Sequence, residues 1–300
     1  MAAEHKHSSS LSAKKLLFSI LLNLGITLAQ FIGGIISGSL SLLSDALHNF
    51  TDVISLIISY IAHKMARKNA SISRTFGYKR AEIMAAFVNA ASLIVIAIIL
   101  IKEAIGRFFE PQAINSTVVI WLAIIAILGN GLSVLLMKKD SQSNLNMRSA
   151  YLHLFTDMLA SIAVLIGGLF MKYYQLYWID SILTIMIAVY LIVVGYKLLK
   201  SSFKILMLYT PTNIDVKKVV AKVCEIPAVK NIHHIHIWSL NEDEIHLEAH
   251  LDLHENISVT SFDVVLQKIE KLVNKEFNIN HVTIQPEHNK PDSKAIIIQD

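Results

Sequence analysis

Long apolar blocks, separated by short polar breaks, fill the first two thirds of the chain. Six of them reach the roughly 20 residues that an α-helix needs to cross a bilayer. They lie near residues 15–37, 41–63, 81–104, 117–138, 148–171 and 177–199. The first block is too long for the apolar core of a signal peptide, so we expect it to remain as a span. The pattern predicts a membrane α-helical domain with six transmembrane helices over residues 13–205.

After residue 205 the pattern changes to the short periods of a water-soluble domain. Helical periods and strand alternation predict two helices and three strands, at 214–225, 231–239, 244–253, 260–276 and 281–285. Their order, αββαβ, predicts a small α+β ferredoxin-like domain over residues 206–287. Residues 1–12 and 288–300 lack a clear period, and we expect them to be a disordered N-terminal tail and a loose C-terminal tail.

Composition supports a membrane protein and predicts its orientation. The chain is 54% hydrophobic and only 17% charged, whereas soluble domains average about 25% charged residues. The net charge of +4 could indicate nucleic-acid binding in a soluble protein. Here Lys and Arg gather in alternate gaps between the apolar blocks, where they act as orientation signals. We expect no nucleic-acid partner, and a multi-pass protein of the cell inner (plasma) membrane with both termini in the cytoplasm.

Two copies of a His-x-x-x-Asp motif lie inside apolar blocks, as His48–Asp52 in the second and His153–Asp157 in the fifth. In a helix, positions i and i+4 share one face, so each helix presents an imidazole and a carboxylate together. If the two helices face each other, two nitrogens and two oxygens converge, as a tetrahedral divalent ion requires, with zinc the first candidate. Hydrogen bonding between helices is the structural alternative, but the repetition of a costly intramembrane pair favours metal binding.

Asp45 lies three residues before His48, on a neighbouring helix face. It could orient His48 as a hydrogen-bond acceptor, accept a proton, or provide a negative charge near the helix N-terminus. The sequence leaves these alternatives open.

The soluble domain is rich in histidine. Eight of the 13 histidines fall within it or directly after its last residue, at 233, 234, 236, 246, 250, 254, 281 and 288. A lone histidine on a strand is usually an ordinary polar surface residue, but this density favours metal binding. A weakly basic, solvated face is the alternative.

The chain resembles the cation diffusion facilitator family of zinc efflux transporters, and most of all its bacterial zinc, cadmium and cobalt branch. The resemblance covers nearly the whole chain. It rests on five segments, namely Ser41–Asp52, Thr75–Glu82, Asn144–Asp157, His233–Trp238 and His281–Glu287.

The resemblance implies a homodimer of six-span protomers, each with a metallochaperone-like cytoplasmic domain. It implies a secondary active transporter, not an enzyme, that exports a divalent cation in exchange for protons by alternating access. His48, Asp52, His153 and Asp157 match the family's transport-site positions. Histidine rather than aspartate at the first position goes with zinc over cadmium in the family, so Zn²⁺ is the expected substrate, with Cd²⁺ or Co²⁺ possible.

The resemblance also implies a regulatory zinc site in the soluble domain at His233, His250 and Glu287. Strand alternation partly disagrees, since it puts His234 and His236 on the face opposite Ile235 and leaves His233 at the strand edge. A bulge in the strand could redirect His233.

Three alternatives remain open at this point. A membrane-anchored metal sensor or store would use the histidine-rich domain as a receptor, but an anchor needs no paired intramembrane ligands. An intramembrane metalloenzyme is a second alternative, although the chain has no His-Glu-x-x-His motif. Transport of Mn²⁺ or Fe²⁺ is the third, and manganese would favour a more oxygen-rich site.

Overall fold

The computed structural model describes residues 4–66, 68–138 and 145–298. Six long helices occupy the first two thirds: α1 (Glu4–Ser37), α2 (Leu40–Ala66), α3 (Ala81–Phe109), α4 (Ser116–Met137), α5 (Leu145–Tyr174) and α6 (Trp178–Leu206). Within the described residues, stretches of five of them are long and apolar enough to cross a membrane: α1, α3, α4, α5 and α6. The helix α2, which carries the first His-x-x-x-Asp motif, is not one of these five, so six spans stay a prediction.

The start of α1 differs from the disordered tail predicted over residues 1–12. The backbone is helical from Glu4. Residues 4–12 contain neither glycine nor proline, and adding residues to an existing helix costs far less than nucleating a new one. The first helix therefore continues toward the N-terminus beyond its apolar part.

One compact unit comprises the residues up to 58 together with 88–198. In it α4 packs against both α1 and α5. A core between α2, α4 and α5 is formed by Leu42, Ile114, Val119, Ala123, Val164 and Met171, and another between α3 and α6 by Leu93, Ala97, Leu100, Ala188 and Leu191. The helices α1 and α2 are joined at Gly38, whose φ of +74° suits glycine. A Cβ on Gly34 would lie 3.0 Å from the backbone nitrogen of Leu43, so the two helices meet closely beside this turn.

The second unit comprises residues 59–87 and those from 199 onward. It contains α7 (Val216–Cys224), β1 (Val229–Ser239), β2 (Ile245–Leu253), α8 (Val259–Phe277) and β3 (His281–Glu287). This is the predicted order of helices and strands. The central strand β2 pairs antiparallel with β1 and parallel with β3. The core lies between this sheet and the two helices, and includes Val219, Val223, Ile232, Leu247, Leu251, Ile269 and Val273.

The C-terminal residues differ from the loose tail predicted over residues 288–300, because part of this segment is bound to the domain. The backbone N–H of His234 donates to the carbonyl of Ala295 (3.1 Å), and that of Ile235 donates to the carbonyl of Ile296 (2.9 Å). The side chain of Ile296 packs against the domain core. Because backbone hydrogen bonds and apolar burial act together, this segment is bound to strand β1 despite its lack of sequence period.

The segment between α2 and α3 contacts the end of the sheet at His246. The ring of Phe76 meets the ring of His246 edge-on at 5.9 Å between centroids, and Trp238 stacks on the same imidazole at 5.2 Å. Lys79 Nζ pairs with Glu244 Oε1 at 2.6 Å. Burial lowers the pKa of His246, and the charges of His281, Lys79 and Arg80 lower it further, against the opposing effect of Glu244.

We expect the second unit to lose stability as the pH falls below about 6.5, the ordinary pKa of histidine. Because the pKa of His246 is lowered in the folded chain, the unfolded chain takes up a proton first on acidification. Full stability is therefore present above pH 6.5 and decreases toward the folded pKa. Thermal unfolding at pH 7.5 and pH 5.5 tests this, with His246→Gln expected to show the smaller pH difference. The exposed His254→Gln is the control, and equal pH differences in all three proteins would contradict the assignment.

Candidate metal sites

The two His-x-x-x-Asp motifs lie on α2 and α5 and come together in the structure. We refer to His48, Asp52, His153 and Asp157 as the helix cluster. Each motif spans one helical turn, so its two side chains leave the helix on the same face. Asp52 Oδ2 lies 3.7 Å from Nε2 of His48 and 3.6 Å from Nε2 of His153, between the two imidazoles. The second carboxylate, Asp157 Oδ2, lies 3.5 Å from Nε2 of His153.

Three of the four residues of the helix cluster, all except Asp157, bring donor atoms close enough together for one ion. Ligand atoms of His48, Asp52 and His153 lie within 4.8 Å of one another. Two atoms at the cluster are buried and form no hydrogen bond with any residue that the structure describes, namely Nδ1 of His48 and Oδ2 of Asp157. Buried polar atoms are normally satisfied, so the Asp157 oxygen, 3.5 Å from Nε2 of His153, remains available to a cation. The role of these four residues as ligands stays a prediction.

Asp45 is placed beside the helix cluster by a contact from α1. Gln30 Nε2 donates to Asp45 Oδ2 at 2.7 Å, and both side chains are buried. The ring of Tyr190 from α6 meets the His48 ring edge-on at 6.4 Å. The helix α2 is therefore held near its cluster by side chains from two neighbouring helices.

The N-terminus of α2 is fixed by a carboxylate from another helix. Asp180, in the first turn of α6 and 1% exposed, accepts hydrogen bonds from the backbone N–H of Leu40 (2.7 Å) and the hydroxyls of Ser39 (2.6 Å) and Ser41 (2.5 Å). The guanidinium of Arg107, from α3, donates to the carbonyl of Gly38 at 2.6 Å. We call Asp180 and Arg107 the turn clamp.

Asp180 was not among the residues predicted from the sequence. In the sequence, Asp180 is an acidic residue at the start of an apolar block. That position is compatible with a charge that stabilises the N-terminus of its own helix, or with a side chain that pairs with a polar group inside the membrane domain. In the structure it satisfies the free N–H groups at the start of α2, which a helix cannot satisfy within itself.

A second cluster lies at the sheet, where a bulge in β1 turns His233 inward. His233 pairs with His250 and His236 pairs with Glu248, so β1 has one more residue than β2 between these pairs. His234, inside the bulge, has a positive φ of 49°. The bulge breaks the strand alternation, and His233 is fully buried with its ring 5.5 Å from that of His250. This is the bulge that the sequence analysis considered for His233.

We refer to His233, His250, Glu287 and Asp292 as the sheet cluster, since their ligand atoms lie within 4.8 Å of one another. His250 Nδ1 lies 2.9 Å from Glu287 Oε1, and His233 Nε2 lies 3.4 Å from Glu287 Oε2. The three predicted residues are thus adjacent. Asp292 is an addition from the predicted tail, 3.8 Å from His233 through its Oδ1.

Two lysines lie at the sheet cluster. Lys290 donates to Glu287 at 2.6 Å, and Lys294 donates to Glu287 at 3.2 Å and to Asp252 at 2.9 Å. Burial raises the pKa of Glu287, but the hydrogen bonds from both lysines outweigh it, so this pKa lies below its ordinary value. The hydrogen bond from Lys294 likewise holds the pKa of Asp292 well below its usual range. The two lysines therefore favour the ionised form of both carboxylates.

Sequence comparison finds two families of domain in the chain. The family described as "Cation efflux transmembrane domain" matches residues 16–207, and that described as "Cation efflux protein, cytoplasmic domain" matches residues 211–289. The boundary between them lies close to the composition change after residue 205. The two matches together cover the helix cluster and every residue of the sheet cluster except Asp292.

Curated relatives match the chain over nearly its full length. The cadmium, cobalt and zinc/H(+)-K(+) antiporter of Bacillus subtilis is 37% identical over 94% of this chain and 91% of its own. The zinc transporter ZitB of Escherichia coli is 34% identical over 96% and 93%. The metal cation efflux system protein CzcD of Cupriavidus metallidurans is 32% identical over 95% and 90%.

Proposed function

Because the chain belongs to the cation diffusion facilitator family of cation efflux transporters, we propose that it exports Zn²⁺ from the cytoplasm in exchange for protons, as a homodimer. The chain is a multi-pass membrane protein that transports divalent cations and is not an enzyme. Beyond this, the proposal specifies the principal ion, the residues that bind it, the coupling ion and the membrane topology.

The helix cluster carries this proposal. Two imidazoles and two carboxylates on α2 and α5 lie close together, and two of their buried atoms lack hydrogen-bond partners among the described residues. Two nitrogen and two oxygen donors form a set that zinc accepts in tetrahedral geometry. We assign His48, Asp52, His153 and Asp157 as ligands of the transported ion. The relatives named for zinc, cadmium and cobalt support Zn²⁺, with Cd²⁺ and Co²⁺ as further substrates.

Proton coupling follows from the chemistry of the donors. Zinc binds neutral imidazole and ionised carboxylate, so binding at the helix cluster displaces protons. When the cluster opens to the outside, protons reoccupy it and release the ion. The imidazoles of His48 and His153 must be neutral to bind zinc, so we assign to them the exchange of ion for proton. Inward proton flow then drives metal outward.

The proposed topology has six spans within residues 13–205, with α2 as the second. The basic gaps between spans support cytoplasmic termini in the inner (plasma) membrane. Residues 206–287 then form a cytoplasmic ferredoxin-like domain. We propose that this domain binds zinc at His233, His250 and Glu287, with Asp292 close by, and raises transport when cytoplasmic zinc is high. The match to the cytoplasmic domain family supports the homodimer.

Zinc flux in proteoliposomes tests the transport proposal. We expect wild-type protein to move Zn²⁺ under an imposed pH gradient and to stop when an ionophore collapses the gradient. Asp52→Asn, which neutralises the carboxylate between the two imidazoles, should abolish this movement, whereas Glu110→Gln, at an exposed carboxylate, should leave it intact. If folded wild-type protein binds zinc but shows no flux, the proposal of a zinc/proton antiporter would be wrong, and a metal sensor or store would be favoured instead.

A further inference from the structure

The side chain of Lys294 lies among the donor atoms of the sheet cluster. Its Nζ lies 2.9 Å from Asp252 Oδ1, 3.2 Å from Glu287 Oε2 and 3.4 Å from Nε2 of His233. It also pairs with Asp292. The ammonium group therefore contacts three of the four members of the sheet cluster. Among the described residues of the sheet cluster, Lys290 pairs with Glu287 and Asp292.

These contacts give the lysine the surroundings of a bound cation. An ammonium group has three donors and no acceptor, and here it meets carboxylates on two strands and in the C-terminal segment. Burial lowers the pKa of Lys294, but hydrogen bonds to Asp292, Asp252 and Glu287 outweigh it and raise the pKa above its ordinary value. The sheet cluster holds a positive charge supplied by its own chain.

The lysine is held in place by the backbone around it. The two residues that follow it, Ala295 and Ile296, accept hydrogen bonds from the N–H groups of His234 and Ile235. His234 lies in the bulge that turns His233 inward. The segment that carries the ammonium is therefore fixed directly beside the histidine that it contacts.

We infer that Lys294 is the resident cation of the sheet cluster, and that it determines which metal ions occupy the cluster by having to be displaced. This inference rests on the regulatory role proposed above for the same residues. A divalent ion bound to Glu287 and His233 would use atoms that the ammonium group already contacts. Two cations at one set of acceptors repel each other, and the acceptor side chains of His233 and Glu287 are buried, although the lysine itself is partly exposed to water. Binding of metal and binding of Lys294 therefore exclude each other.

Displacement of the lysine favours zinc over the hard ions of the cell. Mg²⁺ loses its water reluctantly and takes oxygen ligands, so it gains little from His233 and His250. Zinc gains two imidazole nitrogens in addition to the carboxylates, and these bonds offset the hydrogen bonds and ion pairs that Lys294 must break. Lys294 thus raises the zinc concentration at which the cluster fills and excludes Mg²⁺ at ordinary cellular concentrations.

Zinc titration of the full-length protein in detergent tests this inference. The Asp157→Ala background removes a ligand of the helix cluster, so that the sheet cluster dominates the titration. We expect Lys294→Gln to raise zinc affinity by about tenfold to a hundredfold, the range for lost hydrogen bonds to charged groups. Millimolar Mg²⁺ should then weaken zinc binding in Lys294→Gln and not in its parent. Lys275→Gln, an exposed lysine on α8, is the charge-matched control.

A second measurement leaves the lysine in place. Acylation of wild-type protein followed by mass spectrometry should modify Lys294 faster once zinc is added, because displacement breaks the hydrogen bonds that keep its amine protonated, and the neutral amine is the form that reacts. The titration would overturn the inference if Lys294→Gln had the same zinc affinity as its parent or bound no zinc. The acylation measurement would overturn it if zinc did not accelerate the modification of Lys294. Neither measurement depends on transport. If zinc displaces Lys294 in a protein that moves no zinc, the antiporter proposal would be wrong and the inference about Lys294 would stand.

Discussion

Replacing Asp157 by Ala should abolish gradient-driven zinc movement, with a loss of at least about a hundredfold. Asp157 is 2% exposed, and its Oδ2 lies 3.5 Å from Nε2 of His153. Residues that merely orient a metal ligand typically contribute about 10- to 100-fold to affinity or activity, so loss of a direct ligand should cost more. The measurement is the initial rate of zinc entry into proteoliposomes at a fixed pH gradient.

The isosteric variant Asp157→Asn separates a ligand from a structural residue. If Asp157 joined helices by hydrogen bonds alone, Asn would fill the same space and retain transport. If it binds zinc, loss of the negative charge should abolish transport as Ala does. Ser161→Ala is the matched control, because Ser161 lies one turn further along α5 and its buried hydroxyl also lacks a hydrogen-bond partner within the described residues. Wild-type rates in Asp157→Asn would contradict the assignment.

The helix cluster was predictable because helical geometry is local. A spacing of four residues puts histidine and aspartate on one face whatever the rest of the chain does, and the repetition identified the two partner helices. The turn clamp was not predictable in the same way. Asp180 lies about 140 residues from the serines that it binds, and no period in the sequence connects the start of α6 with the start of α2.

The sheet cluster was only partly predictable. His250 lies on a regularly alternating strand, and Asp252, two residues on, follows it on the same face, a signal that could have been used. His233 depended on the resemblance, because a bulge is set by the pairing of two strands and not by the alternation of one. Asp292 and Lys294 were missed because their segment has no period and is ordered by contacts with distant residues.

The turn clamp gives the second large expected effect. Replacing Asp180 by Asn should reduce zinc transport by at least about tenfold, chiefly by raising the zinc concentration needed for half-maximal flux. Each hydrogen bond to a charged group contributes about 1.5–3 kcal/mol, and the anion also complements the positive N-terminus of α2. His48 follows Leu40 by eight residues, about 12 Å along the helix. Loosening this end lets the His48–Asp52 pair shift against the pair on α5.

Two comparisons distinguish positioning from other roles of Asp180. Ser39→Ala removes one of the donors to the carboxylate and keeps the charge, so it should cost about 1.5–3 kcal/mol of stability and affect transport less than Asp180→Asn. The pH dependence of flux should be the same in Asp180→Asn as in wild type, since Asp180 lies at the turn and not among the proposed ligands. A shifted pH profile would instead make Asp180 a proton carrier. Reduced thermal stability with an unchanged zinc requirement would make it a structural residue that does not act on the helix cluster.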